Sequence, residues 1–221
     1  MQTVGPVHRH IREDLLGVVA GLDVASVLDV GCGGGDTLAA LAATGRYTLA
    51  GCDVSDAALE LARRRVPGAR LLALDVQRAA LDERFDLVLS VQVVEHLPDD
   101  EAALAHMARM ARRWVLVSTM QGRMRASERA IGHVRNYAAG ELPAKMERAG
   151  LHTERVWGWG FPFYSPLYRS AVEWLPGGPP EGPVGRLGRA AAIALYHLYR
   201  LNWRGRGDVL NVLARPRDVQ P

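Results

Sequence analysis

An apolar run that stops at a cluster of glycines is the feature that most constrains how this chain can fold. Residues 26–30 have the sequence SVLDV, and Gly31, Gly33 and Gly35 follow before a segment with helical character begins. A short run rich in leucine and β-branched residues, bounded by glycines, is typical of a buried strand. Glycine allows positive φ and lets a ligand lie against bare backbone. The pattern predicts a strand, a ligand-binding turn and a helix.

Strand and helix signals alternate along the chain after this turn. We predict strands at 26–30, 47–52, 69–74, 85–90, 114–118, 153–159 and 208–214, and helices at 8–21, 37–44, 57–65, 99–111, 139–149 and 187–201. Strands that alternate with helices of about 10 residues indicate βαβ units and a parallel sheet.

The length of 221 residues suits one α/β domain and is short for two. We therefore expect a single domain, made of a cap helix within residues 1–22, a core at 26–160, a helical and aromatic insert at 161–206 and a final strand at 208–214.

The spacing of the glycines argues against a dinucleotide site. Asp29, Gly31, Gly33 and Gly35 form Asp-x-Gly-x-Gly-x-Gly, whereas the dinucleotide fingerprint is Gly-x-Gly-x-x-Gly. The third glycine of that fingerprint would fall on Asp36, whose carboxylate is a poor neighbour for a pyrophosphate. An NAD-dependent oxidoreductase is therefore an outside alternative.

Two further acids end the next predicted strands. Asp53 lies 22 residues after Gly31, where a carboxylate can accept both ribose hydroxyls of a nucleotide-like ligand. Asp75 ends the third strand and suits a hydrogen bond to an adenine amino group. Together with Asp29 these acids describe a nucleoside site without a phosphate cradle.

Four segments carry a family resemblance: VLDVGCGGG, GCDVSDAAL, LALDV and FDLVLSVQVVEHLPD. They resemble, in order and spacing, the motifs of class I S-adenosylmethionine-dependent methyltransferases, most specifically over residues 26–118. The resemblance implies an α/β, Rossmann-like three-layer sandwich. Its seven-stranded sheet would be mostly parallel, with an antiparallel last strand at 208–214 and the helical insert before it.

The resemblance also implies how S-adenosylmethionine would be held. Asp29 would orient the loop and the ligand amino group, and Asp53 would take the ribose diol. The other cofactor contacts would be the glycines along the methionine part, the adenine contacts and the pocket wall after the fourth strand: Gly31, Gly33, Gly35, Val54, Asp75, Val76, Val91 and Gln92.

A possible metal site follows the fourth strand. Some members of the family carry Glu-x-x-Glu-His there, with a later histidine, and bind a divalent cation. This chain has Gln92 in place of the first glutamate, and an amide is a weaker ligand for a hard cation. We therefore expect no metal, and keep Glu95, His96 and His133 as the only candidate set. Glu95 and His96 either line the cofactor pocket or cap the next helix.

Candidate catalytic residues follow the fifth strand. The segment from His133 to Tyr137 is similar to a His-x-x-x-Tyr segment that many small-molecule methyltransferases place over the acceptor. Because histidine titrates near neutrality, His133 can act as a base or position the acceptor. His96 and Tyr137 complete the candidate set, and a purely structural role for His133 stays open.

The insert has two interpretations. Residues 157–164, WGWGFPFY, with Tyr168 and Trp174 hold most of the aromatic rings, which either wall an acceptor pocket or cover the sheet edge. Leu187, Ala191, Ala194, Leu195 and Leu198 share one helical face, which would form a lid. Contact with a membrane surface through the nearby arginines Arg186, Arg189, Arg200, Arg204 and Arg206 is possible but not favoured.

The amino-acid composition limits the partners and the location that we expect for the protein. The net charge is +3, and the arginines are scattered among acids, so we expect no nucleic-acid partner. Two cysteines, Cys32 and Cys52, beside strand ends indicate no disulfide framework and favour a cytoplasmic location. No apolar stretch is long enough to span a bilayer. The oligomeric state stays open.

The function that the sequence favours is methyl transfer from S-adenosylmethionine to an oxygen or nitrogen of a small-molecule acceptor, in secondary metabolism or cofactor biosynthesis. The alternatives are a lipid-linked or glycan acceptor, and a cofactor-binding fold redirected to a non-methylating reaction such as cyclisation.

Overall fold

The glycine-terminated strand is an interior strand of a seven-stranded sheet. A computed structural model describes residues 5–173 and 185–217. The strand order is β3-β2-β1-β4-β5-β7-β6. The strands are β1 (Ser26–Val30), β2 (Thr48–Asp53), β3 (Arg70–Ala73), β4 (Phe85–Val91), β5 (Ala111–Met120), β6 (Leu151–Trp159) and β7 (Val209–Pro216).

The last strand differs in direction from the rest. The first five strands pair in parallel, while β7 pairs antiparallel with both β5 and β6. The chain therefore returns from β6 through the insert, and β7 lies between β5 and β6. The predicted Rossmann-like sheet with an antiparallel last strand is confirmed.

Helices cover both faces of the sheet. They are α1 (Pro6–Ala20), α2 (Asp36–Ala42), α3 (Asp56–Arg65), α4 (Asp100–Met110), α5 (Ala126–Ala130), α6 (Glu141–Arg148), α7 (Arg169–Glu173) and α8 (Arg186–Tyr199). A 3-10 turn spans Val94–His96, and a π-helical turn spans Phe163–Tyr168. Both turns, α5 and α7 are absent from the predicted elements, because each is too short to show a hydrophobic period.

Two hydrophobic clusters hold the layers together. On one face α4 and α6 pack on the sheet, and on the other face α1, α2, α3 and α8 do. Adjacent residues of β4 show the division, because Leu87 belongs to one cluster and Val88 to the other. A strand buried on both sides needs a continuous apolar sequence, which explains the run that begins each βα unit.

Side-chain caps fix where two helices begin beside the strand ends. The Ser55 hydroxyl accepts a hydrogen bond from the Ala58 amide at 3.2 Å, and the Asp99 carboxylate accepts one from Ala102 at 3.0 Å. These caps start α3 and α4 immediately after the loops that follow β2 and β4. The loops at this sheet edge are therefore short and held at both ends.

Helix α8 buries a face that differs from the predicted one. Ala191, Ala194 and Leu198 are exposed, whereas Leu195 is partly buried and Tyr199 fully buried. The helix is rotated because Tyr199 packs edge-on to the rings of Trp159, Tyr164 and Tyr168. Trp174 and the side chain of Leu187 lie outside the described residues.

The aromatic segment packs against α1. The ring of His10 stacks on Trp159 at 5.2 Å and on Tyr196 at 4.5 Å, measured between centroids. The indole N–H of Trp157 donates to Asp14 at 2.7 Å. Trp157 and Trp159 of β6 and Tyr196 of α8 thus join the cap helix α1 to the sheet edge.

No helix in the described ranges is long and apolar enough to cross a lipid bilayer. The expectation that the insert does not dock on a membrane stays a prediction.

A buried ion pair ties the loop after β5 to the helical layer. Asp100, 3% exposed, accepts hydrogen bonds from the ammonium of Lys145 at 2.8 Å and from the hydroxyl of Tyr137 at 2.8 Å. The Arg135 guanidinium lies 3.4 Å from the same carboxylate. Removing one partner of such a pair leaves a buried charge poorly compensated.

We predict that Lys145→Met lowers the free energy of unfolding by about 3 kcal/mol. Arg148→Met is the matched control, because Arg148 lies on the same helix and pairs with Glu101 at the exposed surface. That control should change stability by less than about 1 kcal/mol. Urea denaturation measures both. An equal, small effect of the two substitutions would show that the buried pair does not stabilise the fold.

Candidate active site

The glycine loop places bare backbone at the end of β1. Gly31, Gly33 and Gly35 have φ values of +72°, +52° and +80°. A Cβ on Gly31 would clash with both γ-methyl groups of Val93, whereas a Cβ on Gly33 would meet no atom within 4 Å. Gly31 is therefore required by close packing against the loop after β4. Gly33 keeps open the space where a ligand can approach the backbone.

Asp53 holds this loop in place. One of its carboxylate oxygens accepts the Gly33 amide at 2.8 Å, and the other accepts the Ser55 amide at 2.9 Å. Each oxygen keeps a lone pair for a ligand hydroxyl. The ends of β1 and β2 are thus joined by a residue that also faces the ligand side.

Asp29 lies beneath the loop. It is 2% exposed, and its burial, together with the nearby charge of Asp53, raises the pKa of its carboxyl group to about 8. Burial thus favours the protonated form of Asp29, which can donate a hydrogen bond as well as accept one.

A cavity of about 580 Å³ opens beside the glycine loop. This volume is in the range of small-molecule sites. Its lining combines the loop with the start of α2, one side of α3, the end of β4 and one face of α1: His8, Ile11, Arg12, Asp29, Gly31, Cys32, Gly33, Gly34, Asp36, Thr37, Ala58, Leu61, Arg65, Val91 and Gln92. The structure thus brings together Asp29, Gly31 and Gly33, which were expected around the methionine part of a cofactor, whereas Gly35 lies against Ala62 of α3 and does not line the cavity.

The residues expected around adenosine lie at neighbouring strand ends rather than in this cavity. The Leu74 amide donates to the Asp53 carbonyl at 3.1 Å, which places the start of the Asp75 turn beside the end of β2. The Asp75 carboxylate accepts the Gln77 amide at 3.0 Å. Val54 is 69% exposed and Val76 is buried.

The contribution of α1 to the site was not predicted from the sequence. His8 and Arg12 line the cavity with Ile11 between them. Arg12 makes no ion pair with any carboxylate of the described ranges, whereas Arg65 pairs with Asp36 at 2.8 Å. A signal was present, because His8 and Arg12 share a helical face with the buried Ile11 and Leu15. Polar residues on an otherwise apolar face indicate a cavity beneath it.

The turn after β4 holds strained and unsatisfied groups. Gln92 has a φ of +56°, which is uncommon for a residue other than glycine. Glu95 is fully buried; one carboxylate oxygen accepts the Thr119 hydroxyl at 2.7 Å, and the other has no hydrogen-bond partner among the described atoms. Burial raises the pKa of Glu95 to about 7.

Two histidines meet at the same place. The rings of His96 and His133 lie edge to face, with centroids 4.6 Å apart. His133 is 9% exposed, and its Nδ1 atom lies 3.3 Å from the Asn136 side-chain oxygen. Burial lowers the pKa of His133. The structure therefore brings together His96 and His133, which the sequence placed after different strands.

Glu95, His96 and His133 also form a candidate metal site. One ligand atom from each lies within 4.8 Å of the other two. Two imidazoles and one carboxylate suit Zn²⁺ or Fe²⁺ better than Mg²⁺, which prefers oxygen ligands. An ion there would polarise an acceptor oxygen. The residues fit such an ion, and the expectation that no metal is used stays a prediction.

Tyr137 does not join this group. Its side chain is fully buried and its hydroxyl donates to Asp100. Residue 137 bridges to Gln121 beside the end of β5, which turns the ring into the core. The geometry does not support the prediction that Tyr137 contacts the acceptor, because no surface of the ring is available. Its hydroxyl instead anchors the loop that carries His133.

A second cavity, of about 380 Å³, lies where β5 ends and β7 begins. Its lining includes Gln121, Phe161, Ser165 and Asp208. Phe161 is therefore an aromatic residue of the insert that faces open space at this sheet edge.

Comparisons with known proteins agree with this geometry. Residues 28–115 match a family described as a methyltransferase domain. The ubiquinone biosynthesis O-methyltransferase of Thiobacillus denitrificans is 31% identical over 166 residues, which cover 65% of this chain and 71% of that protein.

Solved structures show the same fold. The magnesium protoporphyrin IX methyltransferase of Synechocystis, with bound S-adenosylhomocysteine, matches with a TM-score of 0.60 at 14% identity, over 94% of this chain and 83% of that one. The cyclase SpnF matches with a TM-score of 0.62 at 19% identity, over 92% of this chain and 80% of that one.

We predict that Gly31→Ala lowers the free energy of unfolding by about 1–3 kcal/mol more than Gly45→Ala does. Both glycines have positive φ, but the position of Gly45 is open, so the difference measures the contact with Val93. Adding Val93→Ala to Gly31→Ala should recover part of the loss in urea denaturation. Equal effects of the two glycine substitutions would contradict the close packing.

Proposed function

Since this chain belongs to the class I S-adenosylmethionine-dependent methyltransferases, we propose that it transfers the methyl group to a hydroxyl oxygen of a small molecule. Similarity to an enzyme named for O-methylation supports oxygen as the acceptor atom. The observation that carries the proposal is the pair formed by His96 and His133, because a hydroxyl acceptor needs a group that removes its proton.

In the proposed complex the sheet edge holds the cofactor along its length. Gly31, Gly33 and Gly35 lie along the methionine part, Asp29 orients its amino group, and Asp53 accepts the ribose hydroxyls. The adenine ring rests on Val54 with its edge at Asp75 and Val76, while Val91 and Gln92 form the wall nearest the acceptor.

Arg12 completes this proposed site by binding the methionine carboxylate. It lines the cavity and lacks a carboxylate partner within the described chain. A guanidinium that meets a carboxylate in a partly enclosed site forms strong, charge-assisted hydrogen bonds. The cap helix α1 would thereby close over the cofactor.

When bound, S-adenosylmethionine supplies an electrophilic methyl group and a thioether leaving group. The chain must then align the acceptor oxygen with the methyl group and remove a proton. We assign proton removal to His133: as the bond between oxygen and methyl forms and the bond between sulfur and methyl breaks, the hydroxyl proton passes to the imidazole. His96 packs against that ring and limits its rotation. We propose transfer without a metal, because Gln92 stands where the cation-binding members carry a carboxylate.

The acceptor is tested by product analysis. The protein is incubated with S-adenosylmethionine and a panel of small phenols, alcohols and amines, and S-adenosylhomocysteine is quantified. We expect release with a hydroxylated member and a product methylated on oxygen. Methylation at nitrogen or carbon would contradict the proposal. Cofactor binding without any release, even with lipid-linked or glycan acceptors, would favour a redirected fold such as that of the cyclase.

We predict that His133→Gln lowers kcat at least about 100-fold, the usual contribution of a general base, while the affinity for S-adenosylhomocysteine is retained. His152→Gln is the control, because His152 is exposed on β6 and should leave both quantities unchanged. Stopped assays on a responsive acceptor and calorimetry provide the measurements. An unchanged kcat in His133→Gln removes His133 from catalysis.

The metal alternative is tested with the same assay. Wild-type protein dialysed against EDTA should keep its activity. Activity that is lost and then restored by Zn²⁺ would assign His133, with Glu95 and His96, to metal binding instead.

We predict that Arg12→Ala weakens S-adenosylhomocysteine binding by about 10-fold or more, the loss of a charged hydrogen bond. The affinity for 5′-methylthioadenosine, which has no carboxylate, should not change. Arg9→Ala is the matched control, since Arg9 lies on the same helix and pairs with Glu13 at the surface. If Arg12→Ala weakened both ligands equally, Arg12 would act on the fold of the site rather than on the carboxylate.

A further inference from the structure

Asn136 lies between His133 and a buried carboxylate. Its side-chain oxygen is 3.3 Å from the Nδ1 atom of His133. Its side-chain nitrogen donates to the Glu128 carboxylate at 2.8 Å and approaches the Arg123 carbonyl oxygen at 3.4 Å. The amide therefore has one side toward the histidine and the other toward two acceptors.

Glu128 is surrounded by donors. Besides the amide of Asn136, its Oε2 atom accepts the Arg125 backbone N–H at 2.9 Å. Its Oε1 atom accepts Nε of Arg169 at 3.0 Å, and a second guanidinium nitrogen of Arg169 lies closer still. None of these partner groups can accept a hydrogen bond. Each contact thus requires the carboxylate of Glu128 to act as an acceptor.

This arrangement fixes the orientation of the Asn136 amide. If the amide were flipped, its oxygen would face the oxygens of Glu128 and Arg123, and acceptor would meet acceptor. The oxygen must therefore face His133, and it can form a hydrogen bond there only if Nδ1 carries the proton. In a neutral imidazole with Nδ1–H, the lone pair is on Nε2.

We propose that Asn136, oriented by Glu128, fixes His133 as the Nδ1–H tautomer and so directs the Nε2 lone pair to the acceptor site. Asn136 and Glu128 are positioning residues, because they act through His133. The inference rests on the proposed function only for what the lone pair does, since the tautomer can be measured without an acceptor.

The insert contributes to the site through the contact between Arg169 and Glu128. Arg169, on α7, is 4% exposed; it bonds Glu128 and also pairs with Asp208 just before β7. Asp208 in turn lies 3.5 Å from Arg125. The segment between β6 and β7 is therefore tied to the loop that carries His133 and helps to hold the orientation of its ring.

The tautomer is read from long-range ¹H–¹⁵N spectra of histidine-labelled protein, dialysed against EDTA and kept at about pH 8, above the ordinary pKa of imidazole. The His133 signals are assigned as those missing from His133→Gln. We expect Nδ1 of the wild type in the protonated range and Nε2 in the unprotonated range. A protonated Nε2 in the wild type overturns the inference, whether or not any variant folds.

Two variants test whether Asn136 and Glu128 set the tautomer of His133. Asn136→Leu removes the acceptor and should shift His133 toward the Nε2–H tautomer; Glu128→Gln should give a mixed pattern, because a neutral amide can present either group to Asn136. His197 on the exposed side of α8 is the internal control and should not change. Binding of S-adenosylhomocysteine confirms folding. A His133 pattern that stays the same in a folded Asn136→Leu overturns the assignment to Asn136.

The outcomes separate this inference from the proposed function. The spectra decide the tautomer, whereas the turnover of His133→Gln decides whether His133 acts on the acceptor.

Discussion

The hydrogen bond from the Gly33 amide to the Asp53 carboxylate joins the ends of the first two strands into one ligand-binding surface. It depends on glycines that accept positive φ and on a parallel sheet that brings successive strand ends to the same edge. Gly31 packs against Val93, which adds the loop after β4 to that surface. Three segments distant in sequence are thereby set around one cavity.

The far side of the site is held by buried charges rather than by bare backbone. Asp100 with Lys145 anchors the start of α4 to α6, while Glu128 with Arg169 anchors the loop after β5 to the insert. Buried ion pairs seldom add net stability, but losing one partner is costly, so they hold one arrangement of the loops against others. Such rigidity suits a site that must align an acceptor with a methyl group.

Much of the fold and of the cavity beside the glycine loop could be predicted from the sequence, because the local signals there were strong. The bounds of β1 match at both ends, and the direction of β7 follows from the family resemblance. The glycine loop, Val91 and Gln92 meet around one cavity as expected. These features depend on nearby residues: an apolar run, a glycine turn and an acid at a strand end.

The features that could not be predicted depend on contacts between segments that are distant in the sequence. The face that α8 buries is set by Tyr199 against rings from β6 and the insert, which no helical period in residues 187–201 reveals. Tyr137 turns inward because its hydroxyl finds Asp100, 37 residues away in the chain. Arg12 reaches the cavity because α1 packs beside the glycine loop. Isothermal titration calorimetry of the wild-type protein with S-adenosylhomocysteine measures whether the edge formed by β1, β2 and β4 binds the cofactor product. We expect saturable binding of one molecule per chain, and folded protein that gives no heat of binding would contradict a cofactor site at this edge.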